Sequence, residues 1–335
     1  IKVNIKFRTL FFIFCFIPNL AFSFELSVMT LNVDNLFDTY DDKNKDDKAY
    51  LPIELKQSKS HINSCNKIPV KTWKNECLFL DWDEETKDRK LQNIVKEIIS
   101  YNETGPDILA LQEIENNNIL AELFNLLLPY GYIDSKLIEG RDYRGIDTAL
   151  VTKFKISDSK LHYIKFSGEF EGKDTRPILE ASLNINGKTL KVYNVHFPSG
   201  FHDVSMRIDS LNTLSQLLKN HTYPSIALGD FNVNSKEDNR LNIYRSQNDW
   251  DVAHLIGCNG CKGSYYYNYG KSWDFLDTIF MSRNRGISFI PGSIDIVRTN
   301  RNSYSDSGKP KNFNPIKGFG VSDHLPMVAK FKVIN

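Results

Sequence analysis

Two stretches decide how this chain is built: Leu190-Lys191-Val192-Tyr193-Asn194-Val195-His196 and Ser225-Ile226-Ala227-Leu228-Gly229-Asp230-Phe231-Asn232, with Leu211, Leu214, Leu217 and Leu218 between them. The outer two are short runs rich in branched and aromatic residues and read as strands; the leucines between them repeat at helical spacing. Just upstream, 178–183 reads as another strand, with no helical pattern separating it from Leu190. Further strand-like runs occupy 26–32, 107–112, 148–152, 276–281 and 327–333. Helical faces appear at Leu91, Ile94, Val95, Ile98 and Ile99, and at Leu120, Leu123, Phe124 and Leu127. Gly105-Pro106 is expected to end the first of these helices and launch the next strand. Runs of strands broken by only a few helices imply an α/β fold of two sheets packed face to face with helices outside, not a strictly alternating doubly wound sheet.

The strand runs end in a telling way. Leu31-Asn32, Gln112-Glu113, Asn194-Val195-His196, Gly229-Asp230-Phe231-Asn232, Leu276-Asp277 and Ser322-Asp323-His324 each pass abruptly from apolar to polar. Strand ends converge at one edge of a sheet, so these groups can share a site. Any one of them alone is explained by a turn, a helix cap or a histidine at a core edge. Six together are not, because their chemistry is complementary. Carboxylates and a carboxamide suit a hard cation, and two histidines suit acid–base work or charge stabilisation.

Taken in order, Leu31-Asn32-Val33-Asp34-Asn35-Leu36-Phe37-Asp38, Leu111-Gln112-Glu113, Asn194-Val195-His196-Phe197, Gly229-Asp230-Phe231-Asn232, Leu276-Asp277 and Ser322-Asp323-His324-Leu325-Pro326 resemble the motif series of the endonuclease/exonuclease/phosphatase superfamily. The resemblance implies a four-layer α/β sandwich, two packed mixed β-sheets flanked by helices. It implies Glu113 as the principal Mg²⁺ ligand, with Asn32 and Asp323 completing the site and Mn²⁺ or Ca²⁺ as alternative ions. It also implies His324 oriented by Asp277, Asp230 positioning or deprotonating the attacking water, Asn232 orienting it, and His196 hydrogen-bonding phosphoryl oxygens. Tyr143-Arg144-Gly145-Ile146-Asp147 resembles a segment of bacterial extracellular nucleases of the same superfamily, which makes Arg144, with Asn35, a candidate phosphate contact. Arg176 and Arg207 are weaker candidates of the same kind.

The N-terminus reads as a cleaved leader. Lys2, Lys6 and Arg8 precede an apolar run at 10–17, and Ala21-Phe22-Ser23 offers a small-x-small cleavage site. The expected organisation is therefore a signal peptide at 1–23 and a single domain at 24–335, exported to the periplasm or beyond the cell. The leader holds three of the 42 basic residues and none of the 41 acidic ones, so the remainder is slightly acidic. A protein that grips duplex nucleic acid statically shows a basic footprint, because phosphate neutralisation dominates that affinity. Turnover of phosphodiesters at a metal centre does not require one. Cys65, Cys77, Cys258 and Cys261 remain, and proximity favours disulfides 65–77 and 258–261 over a zinc site.

Two regions lack periodicity: 41–88 reads as a long loop and 298–320 as an irregular stretch. The leading functional reading is a Mg²⁺-dependent phosphodiesterase acting on nucleic acid, DNA or RNA, as a monomeric endonuclease without a stable partner. A lipid-directed phosphoesterase on the same fold stays open, with the tyrosines at 265, 266, 267 and 269 as its candidate contact surface, as does a toxin-like subunit acting with a partner.

Overall fold

The computed structural model of the chain describes residues 23–258 and 260–334; apart from Ser23, the expected leader lies outside them. In chain order, β1 (Ser23–Leu36) is followed by α1 (Lys59–Asn66), α2 (Lys71–Phe79), α3 (Glu84–Ser100), β2 (Ile108–Ile114), α4 (Asn117–Leu127), β3 (Asp134–Leu137), β4 (Asp147–Thr152), β5 (Lys155–His162), β6 (Ile178–Ile185) and β7 (Lys188–His196). Then come α5 (Val204–Leu218), β8 (Ser225–Asp230), α6 (Ser235–Leu241), β9 (Trp250–Val252), α7 (Ala253–Gly257), β10 (Tyr265–Tyr267), β11 (Ser272–Asp274), β12 (Asp277–Ser282), β13 (Ile287–Phe289), β14 (Asp295–Ile296) and β15 (Met327–Ile334).

Two large mixed sheets result. One runs β13-β15-β1-β2-β4-β3, with β14 also paired to β15; the other runs β5-β6-β7-β8-β12-β9, and β10-β11 form a separate hairpin. Within them β1–β2 and β7–β8 are parallel, while the other neighbours are antiparallel. Three apolar clusters separate four layers. Val28, Ile108, Val192, Ile226, Ile279 and Phe331 belong to the one between the sheets. Leu91, Ile94 and Ile98 of α3 and Leu120 and Leu123 of α4 cover Met29, Leu31, Leu109 and Leu111 on the outer face of the first sheet. Leu211, Leu214 and Leu218 of α5 cover Tyr193, Val195 and Ala227 on the second. The sandwich expected from the sequence is the one observed.

The long loop expected over 41–88 is not one. It contains α1, α2 and the start of α3, with α1 and α2 tied by the Cys65–Cys77 disulfide. Each short helix buries little beyond its cysteine, so neither shows the apolar stripe that marks a helix in sequence. The first long helix also stops earlier than Gly105-Pro106 suggested. α3 ends at Ser100, and left-handed Asn102 and Glu103 turn the chain before left-handed Gly105 is reached. Cys258 and Cys261 form the second disulfide, so all four cysteines are paired as proximity suggested. No described helix is long and apolar enough to cross a membrane.

Candidate active site

The alternation that builds the inter-sheet core also delivers the site. Successive strand side chains point to opposite faces, so residues two apart share one. Leu26 and Val28 face the inter-sheet core, and the next positions on that face are Thr30 and Asn32. Ile108 and Ala110 lead likewise to Gln112, Leu190 and Val192 to Asn194 and His196, Ile226 and Leu228 to Asp230, and Met281 and Ile279 back to Asp277. One end of the interface is therefore apolar and the other polar. Between them, Gln112 Nε2 donates to Asn194 Oδ1 at 2.7 Å, and Asn194 Nδ2 donates to the carbonyls of Leu111 (2.9 Å) and Ala149 (2.8 Å), which ties the sheets together beneath the site.

Register then sets the neighbours. His196 lies opposite Asp230 on β7–β8, and Asp230 opposite Asp277 on β8–β12. Gly229 precedes Asp230 with φ +143°, and a Cβ there would sit 2.0 Å from the Val195 carbonyl oxygen, so no larger residue fits. Glu113 departs from the alternation, which would turn it to the outer face beside Leu111. The β1–β2 register breaks at this point, and Asp34, Asn35 and Glu113 adopt φ of 57°, 63° and 65°. Such bulges re-aim side chains beside functional sites. Glu113 Oε1 lies 3.4 Å from Asn32 Nδ2 and Oε2 accepts from the Asn35 amide at 3.0 Å. Asn32 Nδ2 also reaches Asp230 Oδ2 at 3.2 Å.

The two histidines are placed in opposite electrostatic settings. Burial works against charge on His324, but the carboxylates of Asp277 and Asp323 outweigh it and hold the imidazole well above its ordinary value. Its Nδ1 meets Asp277 Oδ2 at 2.6 Å, its Nε2 faces Asp323 Oδ1 at 3.9 Å, and the Tyr265 ring packs against it with centroids 5.0 Å apart. Ser322 locks the turn, donating to the Asn32 carbonyl at 2.7 Å and accepting from the His324 amide at 3.0 Å. His196 Nε2 lies 3.5 Å from Asp230 and 3.8 Å from Glu113, too far for short charge-assisted bonds. Burial, with Arg176 and Arg144 nearby, therefore keeps His196 well below its ordinary value and neutral. Asp230 is pushed up to about 7 by burial and by Asp277. Asn232 donates its amide N–H to Asp230 Oδ1 at 2.8 Å and its Nδ2 to the Phe197 carbonyl at 3.0 Å.

One wall suits a divalent cation. Asp34 and Glu113 lie close enough to Asp323 to raise the cost of ionising it, Glu113 does the same to Asp34, and Asn32 adds a carboxamide. An all-oxygen set dominated by carboxylates fits a hard ion, and Asp277 nearby keeps a buried Oδ1 without a hydrogen-bond partner. Asp34 belongs to this wall although it did not stand out in the sequence. It lay inside the recognised motif as a spacer, and its left-handed backbone at the break in the β1–β2 register brings it to Glu113. Lys90 of α3 supports the bulge, donating to the Asp34 carbonyl and to the Asn35 carbonyl at 3.0 Å.

The arginine candidates separate. Arg144 is exposed and donates to Asn35 Oδ1 at 2.7 Å, which places it on the rim. Asn35 itself spends its amide on Arg144, Asp34 and Glu113, so it positions these groups. Arg207 is corrected to a structural residue. It is fully buried, binds the carbonyls of Pro198, Ser199 and His202, and pairs with Glu237. Arg176 is corrected likewise, since its guanidinium clamps the carbonyls of His196 (3.2 Å) and Phe197 (3.1 Å) and pairs with Asp142. Of the tyrosines, Tyr265 packs on His324 and Tyr266 on Trp273, whereas Tyr269 is 93% exposed.

A sequence model described as the endonuclease/exonuclease/phosphatase family matches residues 75–324. The chain belongs to this family. It is accordingly an enzyme, a metal-dependent phosphoesterase of the family's hydrolase class. Similar solved structures include an endonuclease/exonuclease/phosphatase from Bacteroides vulgatus, with TM-score 0.58, 15% identity, and 92% of this chain and 99% of that one covered. Danio rerio TDP2, solved with a single-strand DNA product, gives TM-score 0.57 and 15% identity over 92% and 98%. At that identity the two support the fold. No curated protein sequence matches the chain.

Proposed function

We propose that the chain is an exported nuclease, a Mg²⁺-dependent phosphodiesterase that cuts nucleic acid internally. The observation that carries this is the convergence of Asn32, Glu113, His196, Asp230, Asn232, Asp277, Asp323 and His324 on one edge of the sandwich, with Arg144 on the rim. The similarity to a TDP2 solved with single-strand DNA product adds support for the substrate.

Glu113, Asp34, Asn32 and Asp323 hold the Mg²⁺, and the ion, when bound, polarises the phosphoryl group and stabilises the leaving oxygen. Asp230 takes the proton of the attacking water. Its carboxyl near neutrality suits a general base at the pH of work, and Asn232 fixes its orientation. Neutral His196 donates to a phosphoryl oxygen. His324, charged and held by Asp277, stabilises the negative charge that grows in the transition state. Arg144 binds a flanking phosphate, and Tyr269 offers a face for an unpaired base. The leader at 1–23 directs export.

The exposed rings of Phe201 and Tyr269 keep a lipid substrate as the second reading, because exposed aromatics also insert at membrane interfaces. One assay separates the two: the purified chain is offered plasmid DNA, single-stranded RNA, a phosphoinositide and sphingomyelin, each with Mg²⁺ or a chelator. Chelator-sensitive nicking of plasmid DNA or RNA is expected. Lipid turnover with nucleic acid left intact would sink the nuclease assignment. Export is checked by expressing the full chain and determining the N-terminus of the secreted product.

A further inference from the structure

The stretch 298–317 is basic in a chain whose charges otherwise balance. It holds Arg298, Arg301, Lys309, Lys311 and Lys317 against one acidic residue, Asp306, where the whole sequence holds 42 basic and 41 acidic residues. Its backbone is fixed in place. Fully buried Glu97 of α3 accepts from Thr299 Oγ1 at 2.7 Å and Asn302 Nδ2 at 2.8 Å, and the Lys311 amide donates to the Asn302 carbonyl at 2.7 Å. The Tyr304 amide donates to the Lys309 carbonyl at 2.9 Å, which closes the tip of the loop. Arg301 pairs with Glu97 at 3.6 Å; among the described residues the other four cations form no ion pair.

Three of those four are held over aromatic rings instead. Lys309 Nζ lies 3.9 Å from the centre of the Tyr266 ring, Lys311 Nζ 5.1 Å from Tyr304, and the Arg298 guanidinium 5.7 Å from Trp273. Tyr266 and Trp273 are a cross-strand pair of the β10–β11 hairpin, packed edge to face at 5.3 Å. A ring orients a cation but leaves its charge uncancelled, whereas a carboxylate cancels it. The positive charge here is therefore both fixed and free for an anion. A groove of about 430 Å³, lined by Asn93 of α3 with Asn300, Arg301, Tyr304, Lys311 and Phe319, continues the surface.

Pairing sets where this surface lies. Tyr265, one residue before Tyr266, is bridged to His324 and packs its ring on the imidazole, and the Ser264 carbonyl accepts from the Leu325 amide at 2.8 Å. Neighbouring residues of a strand face opposite ways, so the hairpin has His324 on one side and the cations on the other. In the first sheet β15, which follows His324, and β4, which follows Arg144, lie on opposite sides of β1. Arg144 and the 298–311 loop thus flank the site from two directions.

We propose that Arg298, Lys309 and Lys311, with the rings of Tyr266, Trp273 and Tyr304, bind the single-stranded flank of a nucleic-acid substrate on the His324 side. This rests on the nuclease reading and adds a length requirement to it, because the strand must reach past the hairpin. Spaced, fixed cations match the repeating charge of a phosphate backbone, and the half-exposed rings of Tyr304 and Phe319 in the groove offer faces to unpaired bases. An anionic membrane fits less well, since the tip Ser305-Asp306-Ser307-Gly308 has no apolar side chain to insert.

The test uses the full chain with Arg298→Gln and Lys309→Gln combined, and Lys311→Gln as the second variant should the pair fail to fold. Hydrolysis of a single strand of about 12 nucleotides is compared with that of bis(p-nitrophenyl) phosphate, which is too small to span the hairpin, both with Mg²⁺. The ratio of kcat/KM on the strand to kcat/KM on the diester should fall about tenfold, and the salt dependence on the strand should become shallower by about two phosphate contacts. An unchanged ratio overturns the proposal: equal losses on both substrates make the cations a brace for Tyr265 and His324, and no loss on either makes them idle. Binding to phosphatidylserine vesicles that needs Arg298 and Lys309, with the strand ratio unchanged, would make the face a membrane surface and overturn the proposal as well. Should the parent chain cut the diester but not the strand, fluorescence anisotropy of the strand in chelator decides. Strand binding that is lost in the variant would fail the nuclease reading while leaving this surface standing; binding that is absent, or kept in the variant, would overturn both.

Discussion

Glu113 and Glu115 stand two residues apart at the end of one strand, yet they belong to acidic clusters built on different principles. Around Glu113 the negative charge is met by fixed positive groups: His324 against Asp277 and Asp323, and Lys90 against the Asp34 turn. Around Glu115 the partners are amides, and no side-chain cation comes within pairing distance. The difference teaches what a charged partner does for a buried group. His324 has a charged partner in Asp277, whereas the Glu115 carboxyl, which meets the Asp38 amide and no cation, is pushed up to about 9 by burial.

The largest effect should come from the compensated cluster. His324→Gln is expected to lower kcat by about 10²–10⁴-fold while far-UV circular dichroism stays unchanged. Glutamine is chosen because alanine would strand the fully buried Asp277 carboxylate, and breaking a buried pair in that way costs about 3–5 kcal/mol. Normal kcat in a folded His324→Gln chain would overturn the assignment of the site.

Lys90→Met tests the other cation and should show a smaller effect of mixed kind. The ammonium donates to both carbonyls of the left-handed Asp34-Asn35 turn and lies 5.8 Å from the Trp82 ring and 5.6 Å from Phe313. Methionine keeps the packing and loses the bonds, at about 1.5–3 kcal/mol for a charge-assisted hydrogen bond. Because the Asn35 amide holds Glu113, a small shift of this turn misplaces the carboxylate, and misplacement by about 1 Å can cost ~10²-fold in rate. Guanidinium unfolding and steady-state kinetics together check this. A loss of stability with kcat intact would mean that Lys90 holds the fold but not the site.

Much of this arrangement was legible beforehand, and the illegible part has physical causes. Eight strand runs and three long helices announced themselves because each buries a periodic apolar face. β5 did not, since Lys155-Ile156-Ser157-Asp158 is a polar, largely exposed edge, of the kind that protects a sheet from further pairing. The strands β9, β10, β11, β13 and β14 run to three residues or fewer, too short for any period to show. The site residues were readable as polar strand ends. The inward aim of Glu113 was not, because a left-handed φ at a bulge leaves no trace in the hydrophobic pattern. Arg176 and Arg207 read as phosphate contacts because charge in sequence does not reveal burial, and both are spent on backbone carbonyls.

A third acidic residue, Glu180, separates compensation from catalysis. It sits on β6, away from the proposed site, with His162 Nε2 and Lys191 Nζ each 2.6 Å from its carboxyl oxygens. Burial raises its pKa, but these two partners outweigh it and bring the group down to about 2, from an ordinary 4.5. The folded value lies below the unfolded one, so the stabilisation is complete above about pH 4.5 and is lost as pH falls towards 2. Glu180→Gln should therefore cost a few kcal/mol at neutral pH, on the order of 3, and flatten the acid limb of the stability curve without changing kcat. Equal losses for wild type and Glu180→Gln between pH 4.5 and 2 would show that other carboxylates govern acid unfolding.

The smallest effect is expected at Arg144, where compensation and exposure meet. Its guanidinium is solvent-accessible and its anchor is the neutral Asn35 amide, so removing it leaves no buried charge behind and stability should hold. What Arg144→Ala removes is a phosphate contact made in ground state and transition state alike. KM for a nucleic-acid substrate should then rise, by about tenfold for a loss near 1.4 kcal/mol, with kcat little changed. A second signature distinguishes phosphate binding from rim packing. The dependence of log(kcat/KM) on log salt should become shallower by about one phosphate contact. Arg144→Lys should restore the salt slope but only part of the affinity, because an ammonium carries the charge without the planar fork. Should the salt slope stay the same in Arg144→Ala, the arginine braces Asn35 and the bulge beneath it, and the phosphate is bound elsewhere.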